Sequence, residues 1–336
     1  MSLFTYDNVS WNLPVMFCHD EIIFVIGEIL KAFPDIPRPK LFAYGCYTSP
    51  WAGGRDTRIQ FFEKPFLENH LNKIIEAGFI PTFTFTRPIV KEEKLDDEMS
   101  NWILDYGVEH DCEFLVCSDK LYNHIKERQP EAKVSASILQ GKMRFHNPKK
   151  RLTGDEEFEY YNSLMDKYER IVTRPEYIIE NFEKDIPRLK DISKIEVHIN
   201  ETCLPNCPYA ISCYSSMDNH DLYKDNQLKC GREEFNKKND TKTQISYSIM
   251  IKKDFLDHLI YDCGIKHLKI QGRHYDGPYL YQLVFYHVFN MTGNFQTIYP
   301  ALVEELKRQK VLASKYPPEQ QVVLNQLKRE YDMEQI

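Results

Sequence analysis

The sequence contains no apolar run approaching the ~18–20 residues that a membrane span requires. The best stretch, 22–30, is short and broken by Gly27 and Glu28. The opening residues, Met1-Ser2-Leu3-Phe4-Thr5-Tyr6-Asp7, have no basic stretch ahead of an apolar core, so no export signal is expected. Excess basic charge is missing too: 43 lysines and arginines face 50 acids, a net charge of -7. That balance leaves no overall electrostatic footprint for nucleic acid. Internal repeats, low-complexity segments, Gly-x-Ser-x-Gly, His-Glu-x-x-His, a Cys/His dyad and a phosphate-cradling loop are also absent. Trp51-Ala52-Gly53-Gly54-Arg55 reads as a flexible loop after the second strand, too short and wrongly placed for phosphate. What is present is ordinary globular composition, 42% hydrophobic and 28% charged over 336 residues, expected to be soluble and cytoplasmic.

Short β-rich runs alternate with amphipathic helical patterns along the chain. Strands are expected at 10–14, 40–45, 80–85, 113–117, 133–138, 170–173, 195–200 and 267–271. Helices are expected at 20–32, 65–77, 96–106, 120–128, 154–168, 175–185 and 254–262. Strands separated by crossover-length helices predict a parallel sheet. Eight such strands suit a closed barrel, although periodicity alone does not separate closure from an open doubly wound sheet. The fold expected is α/β: a single TIM-like (β/α)8 barrel over 1–276, with a cysteine-rich insertion at 201–242 after strand 7. A helical tail over 277–336 (279–289, 298–309 and 318–331) is expected to pack on the barrel. The stretch 144–157, with Lys149-Lys150-Arg151, reads as a solvated loop.

Nine cysteines cannot all pair within one chain, and without an export signal they read as buried thiols, metal ligands or catalytic thiols. Cys203, Cys207, Cys213 and Cys230 fall within 28 residues directly after a predicted strand. In a barrel that is the C-terminal face, where active-site loops gather. A polar segment of about forty residues is unusual in a compact domain unless it is functional or tied by a ligand. By count, four thiolates suit tetrahedral zinc or a [4Fe–4S] cluster equally well. The gaps of three, five and sixteen residues are irregular for a zinc ribbon and compatible with a cluster held from a loop. They also lack the spacing of the radical-SAM signature. The remaining thiols, Cys18, Cys46, Cys112, Cys117 and Cys263, read as small buried apolar residues.

Three segments resemble the collagenase-like peptidase family U-32. Asp254-Phe255-Leu256 with Cys263-Gly264-Ile265-Lys266-His267-Leu268-Lys269-Ile270-Gln271-Gly272-Arg273 is similar to the family's "kDL … aGidsfKIEGR" block. Glu169-Arg170-Ile171-Val172-Thr173-Arg174 is similar to "riVlaRElsl". Ile195-Glu196-Val197-His198-Ile199-Asn200-Glu201-Thr202-Cys203 resembles "lEvfvHGalC". Weaker echoes lie at Trp11-Asn12-Leu13-Pro14, Ala43-Tyr44-Gly45 and Lys133-Val134-Ser135-Ala136-Ser137. Asn200 stands where the family has a histidine, and Gln271 where it has the glutamate of "KIEGR", which marks a divergent member.

The resemblance implies an iron–sulfur (β/α) barrel in a family whose members take part in oxygen-independent hydroxylation of a quinone precursor or of RNA bases. It implies cluster ligands among Cys203, Cys207, Cys213 and Cys230, with Cys46 as a substitute, zinc being the alternative metal. The family's name implies peptidase activity, which would need a metal or thiol nucleophile. A non-catalytic, metal-stabilised binding module is a further alternative.

In a barrel, strand C-termini aim Tyr44, Cys46, Thr84, Thr86, Arg87, Ser118, Asp119, Ser135, Ser137, Arg174, His198, Asn200, Gln271 and Arg273 at the mouth. Arg174, Asn200, Arg273 and His198 are the candidate catalytic residues; Tyr44, Arg87, Ser137 and Gln271 are the candidates for substrate binding. Arg87, Arg174 and Arg273 would make a cation-rich mouth for an acidic small molecule. Alternatively, Arg174 and Arg273 pair with interior acids such as Glu201. For His198 a structural role outweighs a catalytic one. The only basic clusters for RNA are Lys149–Arg151 and Lys237–Lys238. Tyr279, Tyr281, Phe285, Tyr286 and Phe289 form an aromatic helix that would dock a protein partner, although their spacing is also that of ordinary packing.

Overall fold

A computed structural model describes residues 3–47, 49–53, 63–145, 154–201, 249–272 and 277–289. Eight parallel strands close into a barrel: β1 (Ser10–Leu13), β2 (Lys40–Gly45), β3 (Phe79–Phe85), β4 (Glu113–Val116), β5 (Lys133–Ala136), β6 (Ile171–Thr173), β7 (Ile195–His198) and β10 (His267–Lys269), with β10 seated between β7 and β1. Each lies within a segment expected as strand, or overlaps it to within a residue or two. Between them run α1 (Asp20–Ala32), α2 (Lys64–Glu76), α3 (Glu98–Glu109), α4 (Asp119–Arg128), α5 (Ile138–Phe145), α6 (Gly154–Met165), α7 (Pro175–Asp185) and α8 (Lys253–Tyr261). This is the (β/α)8 barrel that the alternation predicted. No helix among the described residues is long and apolar enough to cross a membrane.

Two helix starts show why the chain turns where it does. Asp97 caps α3 by accepting the Ser100 N–H at 2.9 Å, and Asp20 in the first turn of α1 accepts the Phe17 N–H at 2.8 Å. Helix α5 was not expected. Its eight residues are too few for a decisive period, and the run was absorbed into an overlong fifth strand and the loop after it. The strand stops at Ala136 because Ser137 turns the chain, its hydroxyl accepting the Leu139 N–H at 3.3 Å.

Beyond β7, β8 (Asn200–Glu201) pairs antiparallel with β9 (Ile249–Met250), Asn200 opposite Met250 and Glu201 opposite Ile249. The segment 202–248 therefore departs and rejoins side by side at the C-terminal end of β7. Cys203, Cys207, Cys213 and Cys230 lie outside the described residues, as do Arg273, Lys149–Arg151, Lys237–Lys238 and the expected helices at 298–309 and 318–331. Helix α9 (Gly277–Val288) packs on the N-terminal segment: the Thr5 N–H donates to the Val288 carbonyl at 2.9 Å, and the Phe4 and Phe289 rings stack at 5.2 Å. Phe285 and Phe289 are buried in the core, as the packing reading of their spacing has it, while Tyr286 is 68% exposed.

Most apolar side chains of the strands point outward, under the helices. Phe83 and Phe85 of β3 stack with Phe114 of β4 at 5.8 and 5.7 Å between centroids. The alternate residues face the lumen. With the one-residue-per-strand stagger of this fold, the registers sort them into layers of four. Phe42, Glu113, Arg170 and His267 form the lowest of three central layers. Asn12, Thr82, Ser135 and Glu196 lie above them, then Tyr44, Leu115, Val172 and Lys269. A fourth layer with Thr84, Ser137 and His198 opens at the mouth. Branched apolar residues usually fill such layers; here most positions are polar or charged.

In the loop after β2, residues 49–53 are packed, while Gly54 and Arg55 lie outside the described residues. Trp51 is fully buried with its indole N–H on the Lys94 carbonyl at 2.8 Å, and its carbonyl accepts the Arg87 N–H at 3.2 Å. Gly45, which ends β2, sits so close to the chain before α1 that a Cβ there would lie 2.2 Å from the Met16 carbonyl oxygen. Gly45→Ala must move backbone, and is expected to lower the unfolding free energy by ~1–3 kcal/mol, as overpacking does. Urea denaturation checks this.

Candidate functional site

The lumen is held by a charge network centred on Glu196 of β7. Its carboxylate lies 3.1 Å from Lys269 Nζ and 2.7 Å from Arg170, and accepts from the Asn12 amide at 3.2 Å. Arg170 also pairs with Glu113, and its guanidinium lies 4.2 Å from the Phe42 ring centre. Burial pushes the Glu196 carboxyl up, but the charges of Lys269 and Arg170, with His267, outweigh it and hold the group down at about 2. Lys269 Nζ rests 3.8 Å from the Tyr44 ring centre, and Tyr44 donates its hydroxyl to the Ile270 carbonyl at 2.9 Å. Each of three contacts (Asn12–Glu196, Arg170–Glu113, Lys269–Tyr44) thus joins residues of a single layer, one contact per layer, as the registers require.

Above this network lies the mouth. Lys142 of α5 forms an ion pair with Glu201 of β8, both side chains essentially out of solvent at 0% and 1% exposure. This pair fastens α5 to the ribbon from which the cysteine segment departs. Asn200 clamps the end of β10: its amide donates to the Gln271 carbonyl and accepts the Gln271 N–H, both at 2.8 Å. His198 faces the lumen between these features, 3% exposed, and neither ring nitrogen has a hydrogen-bond partner among the described residues. Burial drives its imidazole down to about 3, Glu201 opposing and Lys269 and Lys142 reinforcing, so the ring is neutral near pH 7. Below it, Thr82 Oγ1, Ser135 Oγ and Asn12 Oδ1, all in one layer, likewise lack described partners. Leaving a buried polar atom unmade costs about 1–3 kcal/mol, so four such side chains in one lumen point to something polar among them.

The structure brings Tyr44, Ser137, His198, Asn200 and Gln271 to the C-terminal half of one lumen. It commits several of them to local work: Tyr44 donates to the Ile270 carbonyl, Ser137 caps α5, and the Asn200 side chain binds the Gln271 backbone. Arg174 is engaged bidentately by Glu157 of α6, Nε to Oε1 at 2.8 Å and the second nitrogen to Oε2 at 2.6 Å, with both side chains buried. The partner is therefore Glu157 rather than Glu201, which belongs to Lys142. Arg87 sits half-buried where β3 ends, and Cys46 half-buried where β2 ends. Among the described residues no group of three or more His, Cys, Asp or Glu side chains is placed to hold a metal. The lumen charges Glu113, Arg170, Glu196 and Lys269 and the cation Lys142 escaped sequence reasoning. Strict alternation with buried apolar neighbours was the signal for the first four.

No family model matches the chain, and no curated protein matches it. Among solved structures, it is similar to that of a U32 peptidase, Mk0906, at 10% sequence identity and a TM-score of 0.44, over 79% of this chain and 92% of that one.

Lys142→Met removes the buried cation that faces Glu201 and is expected to cost ~3–5 kcal/mol of stability, as breaking a buried pair does. Adding Glu201→Leu is expected to recover most of that loss, read by urea unfolding of the two variants side by side. A pH dependence follows from three histidines, buried His198 at about 3 and half-buried His267 and His287 at about 4, each lowered chiefly by desolvation. They are neutral when folded and take up protons near 6.5 when unfolded, so their contribution is complete above about pH 6.5 and is lost as pH falls toward 4. In His198→Gln, the slope of unfolding free energy between pH 5 and 6.5 is expected to fall by about 1.4 kcal/mol per pH unit. An unchanged slope would show the ring to be charged or exposed.

Proposed function

We propose that the chain is a metal-thiolate barrel enzyme that carries out, or assists, an oxygen-independent redox modification of a small molecule at the mouth of the lumen. The group proposed is a [4Fe–4S] cluster held by Cys203, Cys207, Cys213 and Cys230. One observation supports this reading above the others: the β8–β9 ribbon, which anchors both ends of the four-thiol segment beside His198 and the Lys142–Glu201 pair. The donor chemistry fits, because a set of four thiolates favours iron–sulfur or zinc. When bound, such a cluster supplies one-electron transfer that side chains cannot.

The protein's own part is orientation. The Lys142–Glu201 pair fixes the root of the segment, Asn200 fixes the end of β10, and the lumen beneath offers hydrogen bonds in a site closed to bulk water. Hydroxylation is the reaction class that the resemblance to U-32 proteins suggests.

Anaerobic purification followed by iron, sulfide and zinc analysis with a visible spectrum tests the reading on wild type and Cys230→Ala. About four irons and four sulfides per chain are expected, with a broad absorption lost in the variant. Stoichiometric zinc would turn the reading toward a structural site or a hydrolase. A well-folded chain with free thiols and no metal would overturn it.

A further inference from the structure

The charges of the lumen cancel pairwise. Lys142 is met by Glu201, Arg174 by Glu157, and Arg170 and Lys269 by Glu113 and Glu196. An anion entering from the mouth would have to compete with a carboxylate already seated on each of these cations. The neighbouring neutral groups are committed as well: the Tyr44 hydroxyl to the Ile270 carbonyl, the Ser137 hydroxyl to the start of α5, and the Asn200 amide to Gln271. His198 differs from all of them. It is more than nine-tenths buried, faces the top of the lumen, and has both ring nitrogens unpartnered among the described residues.

We propose that the top of the lumen is a recognition site for an uncharged donor–acceptor group, such as the amide or hydroxy-carbonyl end of a small molecule, with His198 as the residue that reads it. A neutral imidazole offers one N–H donor and one bare nitrogen acceptor on opposite sides of the ring. That matches a ligand presenting an acceptor and a donor, and it gives a carboxylate only half a match. The low dielectric around the ring strengthens both hydrogen bonds and raises the cost of bringing in an unpaired charge. Of the three arginines expected to grip an acidic ligand, Arg174 is occupied by Glu157. The recognition site shares the mouth with the metal-bearing reading above but requires no metal.

The test uses the full chain labelled with ¹⁵N-histidine. Long-range ¹H–¹⁵N correlation spectra are recorded during titration with acetamide and, separately, with sodium acetate, both into the millimolar range expected for four-atom probes. The His198 signals are assigned by their loss in His198→Gln and, independently, in His198→Phe, so one unfolded variant does not block the assignment. Saturable movement of the His198 nitrogens with acetamide, with acetate at the same concentration leaving them in place, is the expected result. Movement with acetate alone, or with neither probe, would overturn the proposal. Iron and sulfide are measured on the same sample, so failure of the metal and failure of the ligand site are distinguishable.

Discussion

Glu196 is the point on which the barrel's interior turns. From β7 it reaches Asn12 on β1, Arg170 on β6 and Lys269 on β10, and Arg170 extends the network to Glu113 on β4. Buried charges are costly to desolvate and seldom add net stability over well-packed apolar residues. Their value here is in register. Slipping any of these strands by one residue would turn its charged side chain into the apolar layer beneath the helices, and a residue such as Trp11 or Val197 into the lumen. The network therefore tolerates one alignment of the strands, which fixes the layers above it.

The mouth inherits that alignment. Because β7 and β10 are locked through Glu196 and Lys269, His198 is held one layer higher with its ring over the lumen, and the ribbon that continues β7 starts from a fixed place. Lys142 then ties α5 to that ribbon through Glu201. An imidazole and three polar atoms below it, all without hydrogen-bond partners among the described residues, lie along one lumen with a clamped segment root, and an apolar barrel core would have offered none of them. The polar interior thus serves both as the constraint that selects the fold and as the floor of the candidate site.

Much of the barrel was legible because strand alternation and crossover-length helices are local signals. Even short strands such as Ile171–Thr173 were found from β-branched residues flanked by helical patterns. Helix α5 was missed for the same local reason, since eight residues after a strand give no decisive period. The direction of the alternation carried more than was taken from it. Ser-Trp-Asn-Leu in β1 and Ile-Glu-Val-His in β7 alternate as a half-buried strand does, yet in a closed barrel the polar face is the lumen and not solvent. The partners themselves were beyond reach. Arg174 with Glu157, and Lys142 with Glu201, join elements whose juxtaposition only the closed sheet defines. The cysteine segment lies outside the described residues, so its role rests on thiol count and on where its ends are anchored.

The most direct measurement is the equilibrium unfolding of Arg170→Met. This change keeps the bulk of the side chain and strips the charge from Glu113 and Glu196 together. If the charge network holds the strands in register, the variant loses at least ~3 kcal/mol, the scale of a broken buried pair, or fails to fold. A variant within about 0.5 kcal/mol of wild type, the range of an ordinary surface change, would contradict it and leave the apolar layer under the helices as the sole organiser of the barrel.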